Sequence, residues 1–186
     1  MDTCTDCLEG RYKEYWERAA AFHGHVCGGL AIGFKAAVYA IELLEVTFSQ
    51  DEEVVCIAEN DACGVDAIQS VLGCSIGKGN LLFHMTGKQA FSFYNRKTGK
   101  AVRLYLKARA PQGLKREDSC RFYLTCGFED MYAVSEPKTA VPERARLFKS
   151  VPCARCGEIT AESMVRVEDG EMVCPDCFGR YDRFAV

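Results

Sequence analysis

The stretch Phe22-His23-Gly24-His25-Val26-Cys27-Gly28-Gly29-Leu30 decides how the amino-terminal half of the chain is read. Before it, Tyr12, Tyr15, Trp16, Ala19 and Phe22 recur at i, i+3, i+4, i+7 and i+10, one face of a helical period, and predict a helix over 8–22. After it, Leu30, Phe34, Ala37, Val38, Ile41 and Leu44 predict a second helix over 30–46 with these residues on one side. Glycines interrupt the pattern between the two. Within that break, His23, His25 and Cys27 alternate. An extended segment points alternate side chains the same way, so these metal-ligating types can converge on one point. The other reading is that they cap helices and fill a turn. Cys27 directly precedes the second helix, whose positive end favours a thiolate.

Further along, 54–58 reads as a short buried strand and 62–72 as a helix ending near Gly73. Strand-like runs follow over 80–85, 90–94 and 101–108, with turns at Gly87-Lys88 and Thr98-Gly99. A short helix over 117–126 and a strand over 131–134 complete the pattern. The segment Asp61-Ala62-Cys63-Gly64-Val65-Asp66-Ala67-Ile68-Gln69 predicts Asp61 as helix cap and Cys63 in the first turn, again favouring thiolate. Asp66 and Gln69 share a face. His25, Cys27 and Cys63 can therefore assemble a metal or catalytic site, with His23 and Asp66 as neighbours. In that site Cys27 or Cys63 is nucleophile or ligand, and Asp66 is proton acceptor or orienting group. The loop Gly73-Cys74-Ser75-Ile76-Gly77-Lys78-Gly79-Asn80 looks superficially like a phosphate loop. Its glycine spacing is too short, and Gly79 stands where a magnesium-holding hydroxyl is needed. Lys78 can still offer a cation to an anionic cofactor or ligand.

The chain has 186 residues and a net charge of −3, so it carries no general basic coat for nucleic acid. It lacks a signal-peptide pattern at its start, and its longest uncharged stretch, 19–34, is too short and polar to span a bilayer. A reducing cytoplasm is the expected compartment, where clusters among the 12 cysteines bind metal or do redox chemistry. So many thiols also suit an anaerobe. Composition shifts at Ser135. The expected organisation is a core domain over 1–135, a linker over 136–150 with room for a short helix over 143–148, and a zinc finger over 151–186.

That last segment is too short for an ordinary core, and it carries Cys153-x2-Cys156 and Cys174-x2-Cys177. Two such pairs at this separation are a zinc signature. A hairpin is expected around Glu168-Asp169-Gly170, between strands over 163–167 and 171–173. The second pair should open a helix with Pro175 in its first turn and Phe178 and Tyr181 inward. Knuckle, hairpin and helix make a treble clef, and four thiolates close the site to chemistry, so its zinc is structural. The bland alternative is two redox pairs or free thiols. The finger has four Lys/Arg and seven Asp/Glu, 4 − 7 = −3, which disfavours nucleic acid and favours a protein contact.

Three blocks together, Phe22–Gly33, Asp61–Gln69 and Gly73–Leu81, resemble the FmdE family, named for a component of formylmethanofuran dehydrogenase. The resemblance covers about residues 9–135, and several members look to carry a similar carboxy-terminal finger. Gly28 departs from the pattern, which more often has proline after the cysteine. The resemblance implies an α+β core, a homodimer, and a cleft holding the His-x-Cys and Asp-x-Cys residues, with a second metal there. In the namesake enzyme the molybdenum or tungsten chemistry belongs to other components.

Two functions follow as expectations. One is a metal-binding protein whose cleft does redox or one-carbon chemistry on a small anionic substrate. The other is a non-enzymatic accessory or assembly module of a molybdenum or tungsten enzyme, docking through its finger. A zinc-finger regulator is the weaker third. Residues 67–116 contain ten Lys/Arg and no acid, read either as a solvated face balanced by Asp51, Glu52 and Glu53 or as an anion-attracting surface that includes Lys78 and Arg103. Cys56, Cys120 and Cys126 sit among apolar residues and read as core. Cys74, His84 and the Cys4-x2-Cys7 pair stay open.

Overall fold

In the computed structural model, which describes residues 12–179, the first predicted helix is α1 (Lys13–His23) and the second α2 (Gly28–Leu44). Residues 8–11, Cys4 and Cys7 lie outside the described residues. Gly24 ends α1 by taking a left-handed conformation (φ 81°) while its N–H closes on Ala20. Phe22, expected on the apolar face, is 58% exposed; the face is made by Tyr12, Trp16 and Ala19, with Trp16 edge-on to Phe34 at 5.1 Å.

Helix α2 is not one-sided. Residues from every side of it are buried, including Lys35 in mid-helix. Its many Gly and Ala residues admit neighbours on several flanks, and an all-round apolar helix is a central one. Lys35 Nζ donates to the carbonyls of Cys126 (2.8 Å) and Leu124 (3.3 Å) and sits 4.3 Å from the Phe128 ring centre. This fixes the end of α4 (Arg116–Thr125) against α2.

The chain continues through β1 (Val54–Ala58), α3 (Gly64–Leu72), β2 (Leu81–Phe83), β3 (Ala90–Asn95), β4 (Ala101–Leu106), α4, a turn of helix α5 (Phe128–Met131) and β5 (Tyr132–Ser135). The architecture is α+β, with one sheet ordered β2-β1-β3-β4-β5. Three of its ladders are antiparallel, but β1 and β2 are parallel. The reason is α3, which returns the chain to the same end of the sheet, as a helical crossover must. Alternation splits the sheet faces. Val54, Cys56, Ala58, Phe91, Phe93, Val102 and Leu104 join the apolar core with the helices. The opposite face carries Ser92 and Arg103, paired across strands, and Glu59 just past β1. There Arg103 Nε donates to Glu59 Oε1 at 2.6 Å, both side chains buried, and Thr86 Oγ1 donates to Glu59 Oε2 at 2.9 Å.

Residues 136–145 run along the first unit. Tyr94 Oη donates to the Thr139 carbonyl at 2.9 Å, Arg96 to the Glu143 carbonyl at 3.2 Å, and Ala145 N to the Glu52 carboxylate at 3.1 Å. No helix forms over 143–148, because the backbone groups of Glu143 and Ala145 are committed to those side chains.

The chain divides into two compact units, Met1–Ala145 and Arg146–Val186. In the second, β6 (Ser150–Pro152) pairs with β7 (Ile159–Ala161), and β8 (Arg166–Glu168) with β9 (Glu171–Val173). The predicted turn between β8 and β9 is present: Asp169 (φ 52°) and Gly170 (φ 86°) form the mirror-image turn that suits a two-residue hairpin. Its first strand begins later than expected, because Ser163 and Met164 turn out of β7. No helix starts at Cys174: Pro175-Asp176-Cys177 is a turn through Phe178, and Tyr181 lies outside the described residues. No helix among the described residues is long and apolar enough to cross a membrane.

Helices α2 and α3 cross at Gly33 and Gly64. A Cβ on Gly64 would stand 3.0 Å from Gly33 Cα and 3.1 Å from the Gly29 carbonyl oxygen, and one on Gly33 would run into the Gly64 backbone. Gly33→Ala is expected to lower stability by about 1–3 kcal/mol or more, read as the urea midpoint. Gly77→Ala, where nothing lies within 4 Å, is the control and should shift the midpoint far less.

Acid sensitivity has a named contributor ahead of β1. Backbone N–H groups of Asp51 and Glu53, and the Ser49 hydroxyl, hold the Glu53 carboxyl down at about 2, against an ordinary 4.5. A depressed folded value means this stabilisation is present above about 4.5 and lost as pH falls towards 2. Glu53→Gln should therefore flatten the loss of urea midpoint between those two pH values.

Candidate metal centres

The first centre is built at one end of the α1, α2 and α3 bundle. Gly24 turns the chain out of α1, so His25 leaves in a new direction and its ring lies 4.2 Å from that of His23, centre to centre. Cys27 is extended (φ −154°, ψ 167°) and caps α2, its Sγ accepting the Leu30 N–H at 3.3 Å. Cys63 is delivered by α3. A side chain on Gly29 would meet Cys63 Cβ at 3.2 Å and Cys27 Sγ at 3.8 Å, so the glycine is what lets the two cysteines approach. One ligand atom from each of His23, His25, Cys27 and Cys63 lies within 4.8 Å of every other.

His23 carries the strongest chemical indication. Its Nδ1 meets Asp66 Oδ2 at 2.7 Å, and Gln69 Nε2 donates to Asp66 Oδ1 at 3.2 Å. Its Nε2 is buried and has no hydrogen-bond partner. A carboxylate that accepts a hydrogen bond from Nδ1–H leaves Nε2 with its lone pair outward, the arrangement that orients a metal-ligating histidine. An unpaired buried ring nitrogen is otherwise costly.

The sequence placed Cys63 in a thiolate-favouring position, and the structure differs. Burial pushes its thiol up, and the adjacent Cys27 thiol pushes it further. Cys63 is itself the residue preceding α3, and its side chain makes no capping bond. A bound cation would reverse that balance. Nor is Asp61 the cap: the turn ahead of α3 is closed by Asn60, whose Oδ1 receives the Ala62 N–H at 3.1 Å, and no side chain caps the helix. Gly28 opens α2 beside α4, where a Cβ would stand 2.6 Å from Ser119 Oγ.

The second centre belongs to the second unit. Cys153, Cys156, Cys174 and Cys177 offer sulfurs that all lie within 4.8 Å of one another. Gly157 (φ 76°) lets its N–H return to the Cys153 carbonyl at 2.9 Å, and Ala154 N donates to the Met172 carbonyl, tying this turn to β9. Cys153 is drawn down to about 6 by the N–H groups of Cys156 and Cys174, and Cys177 is pushed up to about 12 by the Cys174 and Cys156 thiols beside it. Both sets have the donors to hold a metal such as zinc.

Lys78 and Arg103 are not brought to either centre. Lys78 Nζ donates to the Ser49 carbonyl at 2.7 Å, and Arg103 is spent on Glu59. The loop around Lys78 is scaffolding, organised by Asn80, whose side chain reaches Ser75 N and the carbonyls of Asp51, Val54 and Gly73. Cys56, Cys74 and Cys120 are buried, and Cys126 packs beside them. Burial raises Cys74 to about 12 and Cys120 to about 11. His23, expected with His25 and Cys27 to converge on one point, lies with them and Cys63, while Asn80 as a hub was missed.

A family model described as "FmdE, Molybdenum formylmethanofuran dehydrogenase operon" matches residues 22–126, a span that contains the whole first centre. A protein of Archaeoglobus fulgidus, called a probable S-adenosyl-L-methionine-binding protein, is 30% identical over 195 residues, covering 88% of this chain and 52% of its own length. The chain thus spans about half the length of that relative. The crystal structure of a tungsten formylmethanofuran dehydrogenase FmdE-like protein from Syntrophus aciditrophicus matches with a TM-score of 0.63 at 26% identity, over 95% of this chain and 96% of that one.

Asp66→Asn tests the orienting bond. It is expected to weaken cobalt(II) binding at the first centre about 10–100-fold, read by thiolate-to-cobalt absorption, while Gln69→Ala has a smaller effect. Equal affinity in Asp66→Asn and wild type would leave His23 without its assigned orienter.

Proposed function

This chain belongs to the FmdE family, and from that premise we propose a metal-binding protein whose first centre does redox or one-carbon chemistry on a small anionic substrate. The observation that carries the reading is the buried, unpartnered Nε2 of His23 beside one imidazole and two thiols. In this reading His23, His25, Cys27 and Cys63 are the ligands. Asp66 holds the Nδ1 proton of His23, an orienting role rather than a general base. His25 is the exposed member of the set, so in this reading it is the ligand that yields its position to an entering substrate. Zinc, iron or nickel all suit two imidazoles and two thiolates, supplying Lewis-acid or one-electron chemistry according to the ion. The second centre, four thiolates with no open position, is a structural zinc in a Cys4 finger. A cytoplasmic homodimer is part of the same reading, checked by sedimentation equilibrium.

A second reading, an accessory or assembly module for a molybdenum or tungsten enzyme, is favoured by one observation. The small second unit leaves Ile159 (67%), Met164 (52%), Val167 (70%) and Met172 (49%) exposed, more apolar surface than a free-standing finger needs. The binding named for the Archaeoglobus protein stays with that protein, of which about half lies beyond the match.

Metal analysis of anaerobically purified protein separates the centres. Wild type is expected to hold about two ions per chain and Cys27→Ser/Cys63→Ser about one, with Cys153→Ser/Cys174→Ser losing the other. A single ion per chain in wild type, unchanged in the Cys27→Ser/Cys63→Ser variant, would overturn the first centre and leave the finger standing.

A further inference from the structure

The acid-free run 67–116 leaves cations that neither centre uses. Several are spent internally: Arg103 on Glu59, Arg96 on Glu52 at 3.5 Å, Lys78 on the Ser49 carbonyl. Lys88 is different. It is exposed at the mouth of a cavity of about 300 Å³ between the polar face of the sheet and the 138–142 stretch. Ile57, Leu82 and Phe83 give that cavity an apolar floor, and Ala140 and Pro142 line it as well. Lys88, Lys138 and His84 bring cationic or N–H groups, and Ser92 and Thr86 bring hydroxyls. Its one carboxylate, Glu59, already accepts from Arg103 at 2.6 Å and Thr86 at 2.9 Å. Its charge is answered chiefly by Arg103, with Lys88 adding a weaker attraction, and Lys88 and Lys138 form no ion pair among the described residues.

We propose that this cavity is a second binding site, for a small amphipathic anion: a carboxylate or phosphate monoester on an apolar or aromatic body. The apolar body fits the Leu82, Phe83 and Pro142 surfaces, and the anionic end lies between Lys88 and Lys138. Pockets with a largely apolar lining and a few convergent polar groups take such ligands, and the polar groups fix orientation. The site shares no residue with the His23, His25, Cys27 and Cys63 set.

The test is calorimetric titration with 2-naphthoate and phenyl phosphate, using 2-naphthylmethanol as the uncharged comparison. At least one of the two anions is expected to saturate a single site, with the alcohol at least about tenfold weaker. Lys88→Glu/Lys138→Glu should weaken that anion at least about tenfold, whereas Lys107→Glu/Lys115→Glu, an equal charge change off the cavity, should leave it within about twofold. Cys27→Ser/Cys63→Ser should leave it unchanged. If circular dichroism shows that the charge-reversed pair does not fold, Lys88→Gln/Lys138→Gln replaces it with the same expected direction. No saturable binding of either anion, or an equal loss in the two charge-reversed pairs, overturns the proposal.

Discussion

The first centre depends on how closely two helices can pass. Gly29 and Gly33 on α2 face Gly64 on α3 with no side chain between them, so backbone meets backbone. That spacing sets how near Cys63 comes to Cys27. It also sets how near Asp66, a few residues further along α3, comes to His23 at the end of α1. A single methyl group at Gly33 would press the two backbones apart, and one at Gly29 would press on both cysteines directly. The centre is thus a consequence of glycine placement as much as of ligand placement, and the family-matched span 22–126 contains both.

Polar burial in the first unit follows a different rule. The helix-facing side of the sheet is apolar, while the other side buries Glu59 and Arg103 as a hydrogen-bonded pair. Removing one member would strand the other's charge, which costs far more than the intact pair contributes. Covering this face with an extended segment, rather than with a helix, leaves room beside the pair. A second amphipathic helix would have needed an apolar face beneath it.

What could be read from sequence was what rests on local period and spacing. The helix break at 24–28, the strands of the five-stranded sheet, the β8–β9 turn and the two C-x2-C pairs belong to this kind, whereas β6 and β7 were not expected. What could not be read needed tertiary partners. Burial of α2 on every side is invisible to a one-face periodicity, because small residues score as neither face. The parallel β1–β2 pair follows from α3 acting as a crossover, which turn residues alone do not announce. Cys63 has a raised thiol because the position that suggested a helix dipole also turned out to be crowded and desolvated. Lys78 looked available because a carbonyl acceptor 29 positions away leaves no trace in the local pattern.

Lys35 gives the first unit a mechanical property. Its ammonium is buried in mid-α2 and bonded to carbonyls at the end of α4, and the other end of α2 packs its Gly28 against Ser119 of the same helix. If α4 peeled away, the ammonium would lose those acceptors while still buried, so partial detachment is disfavoured relative to opening the core as a whole. The wall beside Cys27 therefore behaves as part of the cooperative unit and not as a lid. The amides of α4 should exchange with solvent on the timescale of global unfolding.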